Sequence, residues 1–212
     1  MNIEALLLLG THCPHCASVL EALAELVKKG ELSRLEVINL ERAPDAAEVL
    51  GVRSVPWVRL GPFELAGLHT LEEYRSWIQR ADSVEGMASY LAEQLEAGQV
   101  ERILKLIQQD DHYLHAVFQL LADASVRINV KVGLGVILED LAEKDQLRDW
   151  VKPLGELTRH DSASVRADAC HYLGLSKSPE ARDYLEPCLS DESEDVREIA
   201  QESLAELATR EA

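Results

Sequence analysis

The stretch Ile3–Leu40, IEALLLLGTHCPHCASVLEALAELVKKGELSRLEVINL, reads as strand, helix, strand. Ile3–Leu9 is an apolar run of strand length. Pro14–Lys29 carries Val19, Leu20, Leu23, Leu26 and Val27 at helical spacing and stops at Gly30, and Leu35–Leu40 is a second strand-like run. Two strands joined by a crossover helix pair in parallel. Downstream, Pro44–Leu50 forms a short helix closed by Gly51. Trp57–Leu60 and Phe63–Ala66 are short strands about the Gly61-Pro62 turn, which predicts an antiparallel hairpin. Leu71–Arg80 is a helix with Thr70 as its cap. The expected order is β-α-β-α-β-β-α, an α/β domain over residues 1–81.

From residue 82 to 212 the pattern is helical almost throughout. Leu and Ala dominate the chain, and aromatics are only 5%, a bias that favours helices. Three segments repeat: Asp123-Ala-Ser-Val-Arg127, Ser162-Ala-Ser-Val-Arg166 and Glu194-Asp-Val-Arg197. Each precedes an apolar helix containing small residues. Repeats at this period are stacked helical hairpins, none of which buries its apolar face alone. The Ser or Asp is expected to cap the helix, and the Arg to pair with acids of the next repeat. About four helical pairs fit. Gly133 and Gly135 interrupt one helix, and close packing there is the expected reason. The region resembles HEAT repeats, best over residues 146–209, which implies an all-α HEAT-like domain that binds a protein partner.

The formal net charge of −17 is uneven: −3 lies in residues 1–81 and −14 in 82–212. A strongly acidic surface repels phosphate backbones and anionic lipid, so no nucleic acid and no membrane are expected as partners. A basic protein patch fits better. The opening residues have only a short apolar run and no basic segment before it, so no targeting signal is expected and the location reads as cytoplasmic. Structural disulfides are rare there. The four cysteines therefore read as a functional pair plus two buried thiols.

The functional pair is Cys13-Pro14-His15-Cys16, where the first strand gives way to the first helix. Pro14 suits a first helical turn. The unpaired N–H groups and the dipole of a helix start stabilise a thiolate at Cys13, with Cys16 one turn in and less exposed. His15, and His12 before the pair, favour that thiolate further, which makes the disulfide a better oxidant. A C-x-x-C pair is also half of a zinc site, but Cys170 and Cys188 lie far along the chain in the helical repeats. No metal and no cofactor are expected. Cys170 and Cys188 read as buried, and His112, His115, His160 and His171 share no metal spacing.

A second element decides between the alternatives: Ser54-Val55-Pro56-Trp57. With it, residues 3–80 resemble the thioredoxin superfamily. The stretch LEVINLERAPDAAEVLGVRSVPWVRL runs as that family's does: strand, loop, short helix, Gly-Val, X-Pro and strand. GPFELAGLHTLEEYRSWI matches its closing hairpin and last helix. The resemblance implies a cis-proline at Pro56 facing the dithiol, with Val55 backbone groups placed to pair with an extended substrate. It also implies thiol–disulfide exchange through a mixed disulfide at Cys13, resolved by Cys16. Two departures stand out. Pro-His between the cysteines is closer to the periplasmic dithiol oxidases, whose helical insertion has no counterpart here. Leu7 occupies the position where many members carry a buried acid. The competing reading is a non-enzymatic scaffold whose dithiol is a redox sensor.

Overall fold

A computed structural model describes residues 3–81 and 83–210. The chain divides into two compact units, Met1–Met87 and Ala88–Ala212. The expected start of the second domain, Asp82, lies outside the described residues.

The first unit holds β1 (Glu4–Leu9), α1 (Cys16–Lys28), β2 (Arg34–Asn39), α2 (Asp45–Leu50), β3 (Trp57–Leu60), β4 (Phe63–Ala66) and α3 (Leu71–Arg80). The four strands form one sheet in the order β2-β1-β3-β4. β1 runs parallel to β2 and antiparallel to β3, and β3–β4 is the expected antiparallel hairpin. Side chains alternate across the sheet. Leu7, paired with Val58, faces one side, and both are fully buried. Val19, Leu23 and Leu26 of α1 and Tyr74 of α3 are buried as well, and α1 packs against α3. On the other side Leu6, Leu8 and Trp57 make a cluster covered by Ile38, Leu50, Val52 and Val55. Thr70 caps α3 in a reciprocal box with Glu73: its hydroxyl accepts from Glu73 N–H, and the Glu73 carboxylate accepts from Thr70 N–H at 2.6 Å.

One boundary differs from expectation. Regular α1 begins at Cys16 rather than Pro14. The Cys16 N–H donates to the Cys13 carbonyl at 3.4 Å, the i to i+3 bond of a turn. Pro14 thus sits in a turn ahead of the helix, and it has no N–H to extend the ladder.

The helical region is α4 (Val84–Glu96), α5 (Val100–Gln109), α6 (His112–Ala122), α7 (Ile128–Glu143), α8 (Val151–Leu157), α9 (Ala163–Leu175), α10 (Arg182–Cys188) and α11 (Glu194–Arg210), with short 3-10 turns before α8 and α10. α9 is central to the second unit and packs against α7, α8, α10 and α11. Arg166, on α9, lies almost wholly buried and pairs with Asp191 in the turn before α11, as the repeat pattern predicted. Arg127 behaves differently: it pairs at 3.1 Å with Glu96 of a preceding helix and stays exposed. The capping expectation also needs correction. Ser162 precedes α9 without a side-chain capping bond. Asp123 and Asp191 instead close turns, accepting from the N–H of Ser125 at 2.8 Å and of Ser193 at 2.9 Å. An Asp side chain reaches the N–H two residues on, so it folds the turn rather than the helix start. The small residues do allow close approach. A Cβ at Gly133 would lie 2.6 Å from Leu95 Cδ2, and one at Gly174 would lie 2.7 Å from Ser203 Cβ.

Candidate functional site

The dithiol stands at the C-terminal end of β1. The chain leaves the strand at Gly10, whose carbonyl accepts the Cys13 N–H at 3.2 Å. Thr11 and His12 form an exposed turn, and Cys13 is half-buried. Pro14 and His15 are exposed, and Cys16 is 3% exposed as the first residue of α1. The four-residue turn brings Cys13 and Cys16 into a disulfide with their Cα atoms 5.4 Å apart. The first turn of α1 carries no acidic residue, and His15, its N-cap, makes no side-chain capping bond. The first turn of this helix therefore adds no carboxylate of its own to oppose its positive end.

The loop from α2 to β3 supplies the facing element. α2 ends at Gly51, which has φ +66°. There the Gly51 and Val52 N–H groups return to the carbonyls of Glu48 and Ala47. Only glycine adopts that left-handed conformation without cost, and it redirects the chain toward β3. The Val55–Pro56 peptide bond is cis. Pro56 is buried, and its carbonyl accepts the Gly67 N–H at 2.9 Å. Val55 and Cys13 converge on Gly10: a Cβ built there would lie 3.5 Å from Val55 Cγ2 and 4.0 Å from Cys13 Cβ. Residues more than forty positions apart thus share one surface.

A polar clamp behind the dithiol was not foreseen from the sequence. The Thr11 N–H donates to Glu41 Oε1 at 3.0 Å, and Asn39 Nδ2 donates to Thr11 Oγ1 at 3.1 Å. The Glu41 N–H donates in turn to Asn39 Oδ1 at 2.9 Å. The signal that could have found it is the parallel register, which sets Leu9 beside Asn39. Residues just past β2 then neighbour residues just past β1. The other sequence candidates lie elsewhere. Cys170 and Cys188 are buried in α9 and α10, and Trp57 and Trp77 are buried in the first unit. Leu7 is fully buried between Val37 and Val58 of the neighbouring strands, so that interior position carries no carboxylate. Among the described residues, no group of three or more His, Cys, Asp or Glu is arranged to hold a metal ion. Among them too, no helix is long and apolar enough to cross a membrane.

A mixed four-stranded sheet with Cys-x-x-Cys between its first strand and first helix defines a thioredoxin-like module, and the stacked helical pairs define HEAT-like repeats. Comparison with family models agrees: residues 1–79 match the thioredoxin domain, and residues 114–205 match HEAT repeats. The chain is a thioredoxin-like module followed by HEAT-like repeats. No curated protein matches it significantly.

Proposed function

We propose that this protein is a thiol–disulfide oxidoreductase working through Cys13 and Cys16, with the helical repeats as the scaffold that holds its protein partner. The observation that carries this reading is the Cys13–Cys16 pair at the β1–α1 junction, with Val55 alongside. In the reducing direction the Cys13 thiolate attacks one sulfur of a substrate disulfide. That bond breaks, one substrate thiolate leaves, and a mixed disulfide forms. Cys16 then loses its proton and attacks Cys13 Sγ, which releases the second substrate thiolate and closes the Cys13–Cys16 disulfide. The oxidising direction is the reverse. Backbone groups of Val55 pair with the extended substrate, and Pro56, lacking an N–H, places no donor beside the sulfurs. With Leu7 in place of an acid, His12, His15 or water takes the Cys16 proton. His15 and His12 also stabilise the Cys13 thiolate.

The scaffold role rests on α7. Ile128, Val132 and Val136, one turn apart, expose an apolar stripe along a groove of about 440 Å³ whose charged lining is Lys131, Glu139 and Asp168, one base against two acids. Together with the −14 charge of residues 82–212, this suits a protein segment carrying apolar and basic side chains. A reducing, cytoplasmic location goes with Cys170 and Cys188 being carried as thiols.

Insulin reduction, or oxidation of a model dithiol peptide, tests the enzyme reading with Cys13→Ser as control. Equal slow rates for wild type and variant sink it. They would favour the second reading, a redox-sensing scaffold, to which the missing acid at Leu7 gives weight. Cys16→Ala leaves the mixed disulfide unresolved and should trap the partner. Loss of the trapped species in Val132→Glu assigns docking to the α7 stripe.

A further inference from the structure

The glycines inside the described helices divide into two kinds. An added Cβ at Gly86, Gly133, Gly155 or Gly174 would lie between 2.2 and 2.7 Å from a neighbouring atom, so close packing requires a bare backbone there. Gly135 of α7 is different. Its Cβ would stand 3.5 Å from the Tyr172 hydroxyl, an ordinary contact. A glycine in a helix interior is disfavoured against alanine, and no neighbour among the described residues requires this one. Gly135 lines the groove of about 440 Å³, between Val132 and Val136 on the exposed stripe. Ile128, Val132 and Val136 are 76%, 62% and 45% exposed. Eight residues of helix span about 12 Å, a little over two turns.

The acids of the groove are unengaged. Among the described residues, Asp168 and Glu139 make no ion pair and accept no hydrogen bond. Burial raises the Asp168 carboxyl above its ordinary value, and the charges of Lys131 and His171 only oppose that rise. A half-buried carboxylate of this kind gains from a cation brought in on a partner's surface. Two acids against Lys131 favour a base over an acid. A second copy of this chain would bring the same acidic surface, since residues 82–212 carry −14, and like charges repel. The groove lies on α6, α7 and α9. Helices bond their backbone groups internally, so their walls offer no edge to an extended strand, whereas a helix brings its own backbone satisfied.

We propose that this groove takes an amphipathic helix of the partner protein, with an apolar side chain seated over Gly135 and an Arg or Lys beside it paired with Asp168. The partner's apolar ridge lies along Ile128, Val132 and Val136. The missing Cβ at Gly135 lets that ridge approach the α7 backbone, because the distance between two packed helices is set by the side chains at their contact. The inference rests on the reading of the repeats as the scaffold that holds a protein partner, and adds which kind of segment is held and by which residues. The two fail separately. The scaffold reading requires the species trapped by Cys16→Ala to be lost in Val132→Glu, whatever segment occupies the groove.

The test presents the full chain carrying Cys13→Ser and Cys16→Ser to a displayed library of peptides about 15 residues long, the length at which an isolated helix begins to hold. The expected winners carry apolar residues one turn apart and an Arg or Lys within a turn of the middle one. A winning peptide is then synthesised and its Kd measured. Asp168→Asn should weaken it about tenfold, and replacing the peptide's cation by Gln should add no further loss in that variant, the mark of a direct pair. Gly135→Ala should also weaken it about tenfold, yet raise the unfolding midpoint of the free chain. A misfolded variant cannot give those opposite signs. No enrichment, winners that are acidic or extended, or an unchanged Kd in either variant overturns the proposal. Self-association of the chain that Val132→Glu abolishes would give the groove to a second copy and overturns it too. A trapped species lost in Val132→Glu, beside a library that yields no basic helix, overturns this inference alone.

Discussion

Arg166 and Asp191 form a two-pronged ion pair inside the helical repeats, with the guanidinium Nε and Nη2 at 2.8 and 2.7 Å from the two carboxylate oxygens. The same guanidinium donates to the carbonyls of His160 and Asp161. One side chain thus ties the turn before α9 to the turn before α11. Removing the cation leaves a largely buried carboxylate without its partner, which typically costs about 3 kcal/mol or more. Arg166→Met should therefore lower stability by about that amount in urea unfolding. The Arg166 guanidinium also holds the Asp191 carboxyl below its ordinary value of 3.8. A depressed folded pKa gives stability that is present above the unfolded value and lost as pH falls through the folded one. Wild type should lose stability progressively as pH drops below about 4, and Arg166→Met should lose less over that window. An unchanged slope in the variant would show that the pair does not couple folding to pH.

Gly133 and Gly174 both accept a close neighbour, yet alanine should act differently at each. At Gly174 the added Cβ would meet Ser203 Cβ at 2.7 Å and the Ser203 Cα at 3.0 Å, so α9 and α11 would have to part. Overpacking of this kind costs about 1–3 kcal/mol and exceeds the ~1 kcal/mol that Ala gains over Gly in a helix. At Gly133 the clash is mainly with Leu95 Cδ2, the far end of a flexible side chain. Gly174→Ala should lower the unfolding midpoint, and Gly133→Ala should leave it nearly unchanged. Equal losses at the two sites would contradict this packing account.

The contrast follows from what a local pattern encodes. Strand and helix order in residues 3–80 was legible because apolar spacing and the Gly and Pro stops act within a few residues. The Thr70 cap was legible for the same reason, since Glu73 lies three positions on. The start of α1 was not. Pro14 is compatible with both a first helical turn and a preceding turn, and the Cys16 N–H bond to the Cys13 carbonyl selects the second. Asp123 was readable as polar punctuation but not as a turn closer, because an Asp can reach either a helix N–H or its own turn. Gly10 between Val55 and Cys13, and the Asn39–Glu41 clamp, exist only once the strands are in register.

His15 offers a test of how the dithiol is tuned. It is exposed and stands immediately before a helix start that carries no acid. If its imidazole stabilises the Cys13 thiolate, His15→Ser should shift Cys13 toward the free-thiol value of ~8.5. In reduced protein, alkylation of Cys13 at neutral pH should then slow several-fold, and the disulfide should become a weaker oxidant in equilibrium with glutathione. His12→Ser should act in the same direction. A wild-type Cys13 that titrates no lower than a free thiol would remove the premise.

The clamp behind Cys13 can be separated into its hydrogen bonds and its charge. Glu41 Oε1 accepts from the Thr11 N–H, and Asn39 fixes the Thr11 hydroxyl. Thr11 lies two residues before Cys13, so the clamp holds the loop that carries Cys13. Loss of one such bond, worth about 1 kcal/mol, corresponds to roughly fivefold in rate if the whole effect falls on positioning. Glu41→Ala should lower kcat/KM for disulfide exchange by about that factor. Glu41→Gln keeps an oxygen acceptor and removes the negative charge. Positioning alone predicts near wild-type activity for Glu41→Gln and the same Cys13 titration. A carboxylate acting through its field would disfavour the neighbouring thiolate, and Glu41→Gln would then lower the Cys13 titration midpoint. Measuring both the rate and the midpoint in the two variants distinguishes these outcomes. An unchanged rate in Glu41→Ala would show that the loop keeps its place without the clamp.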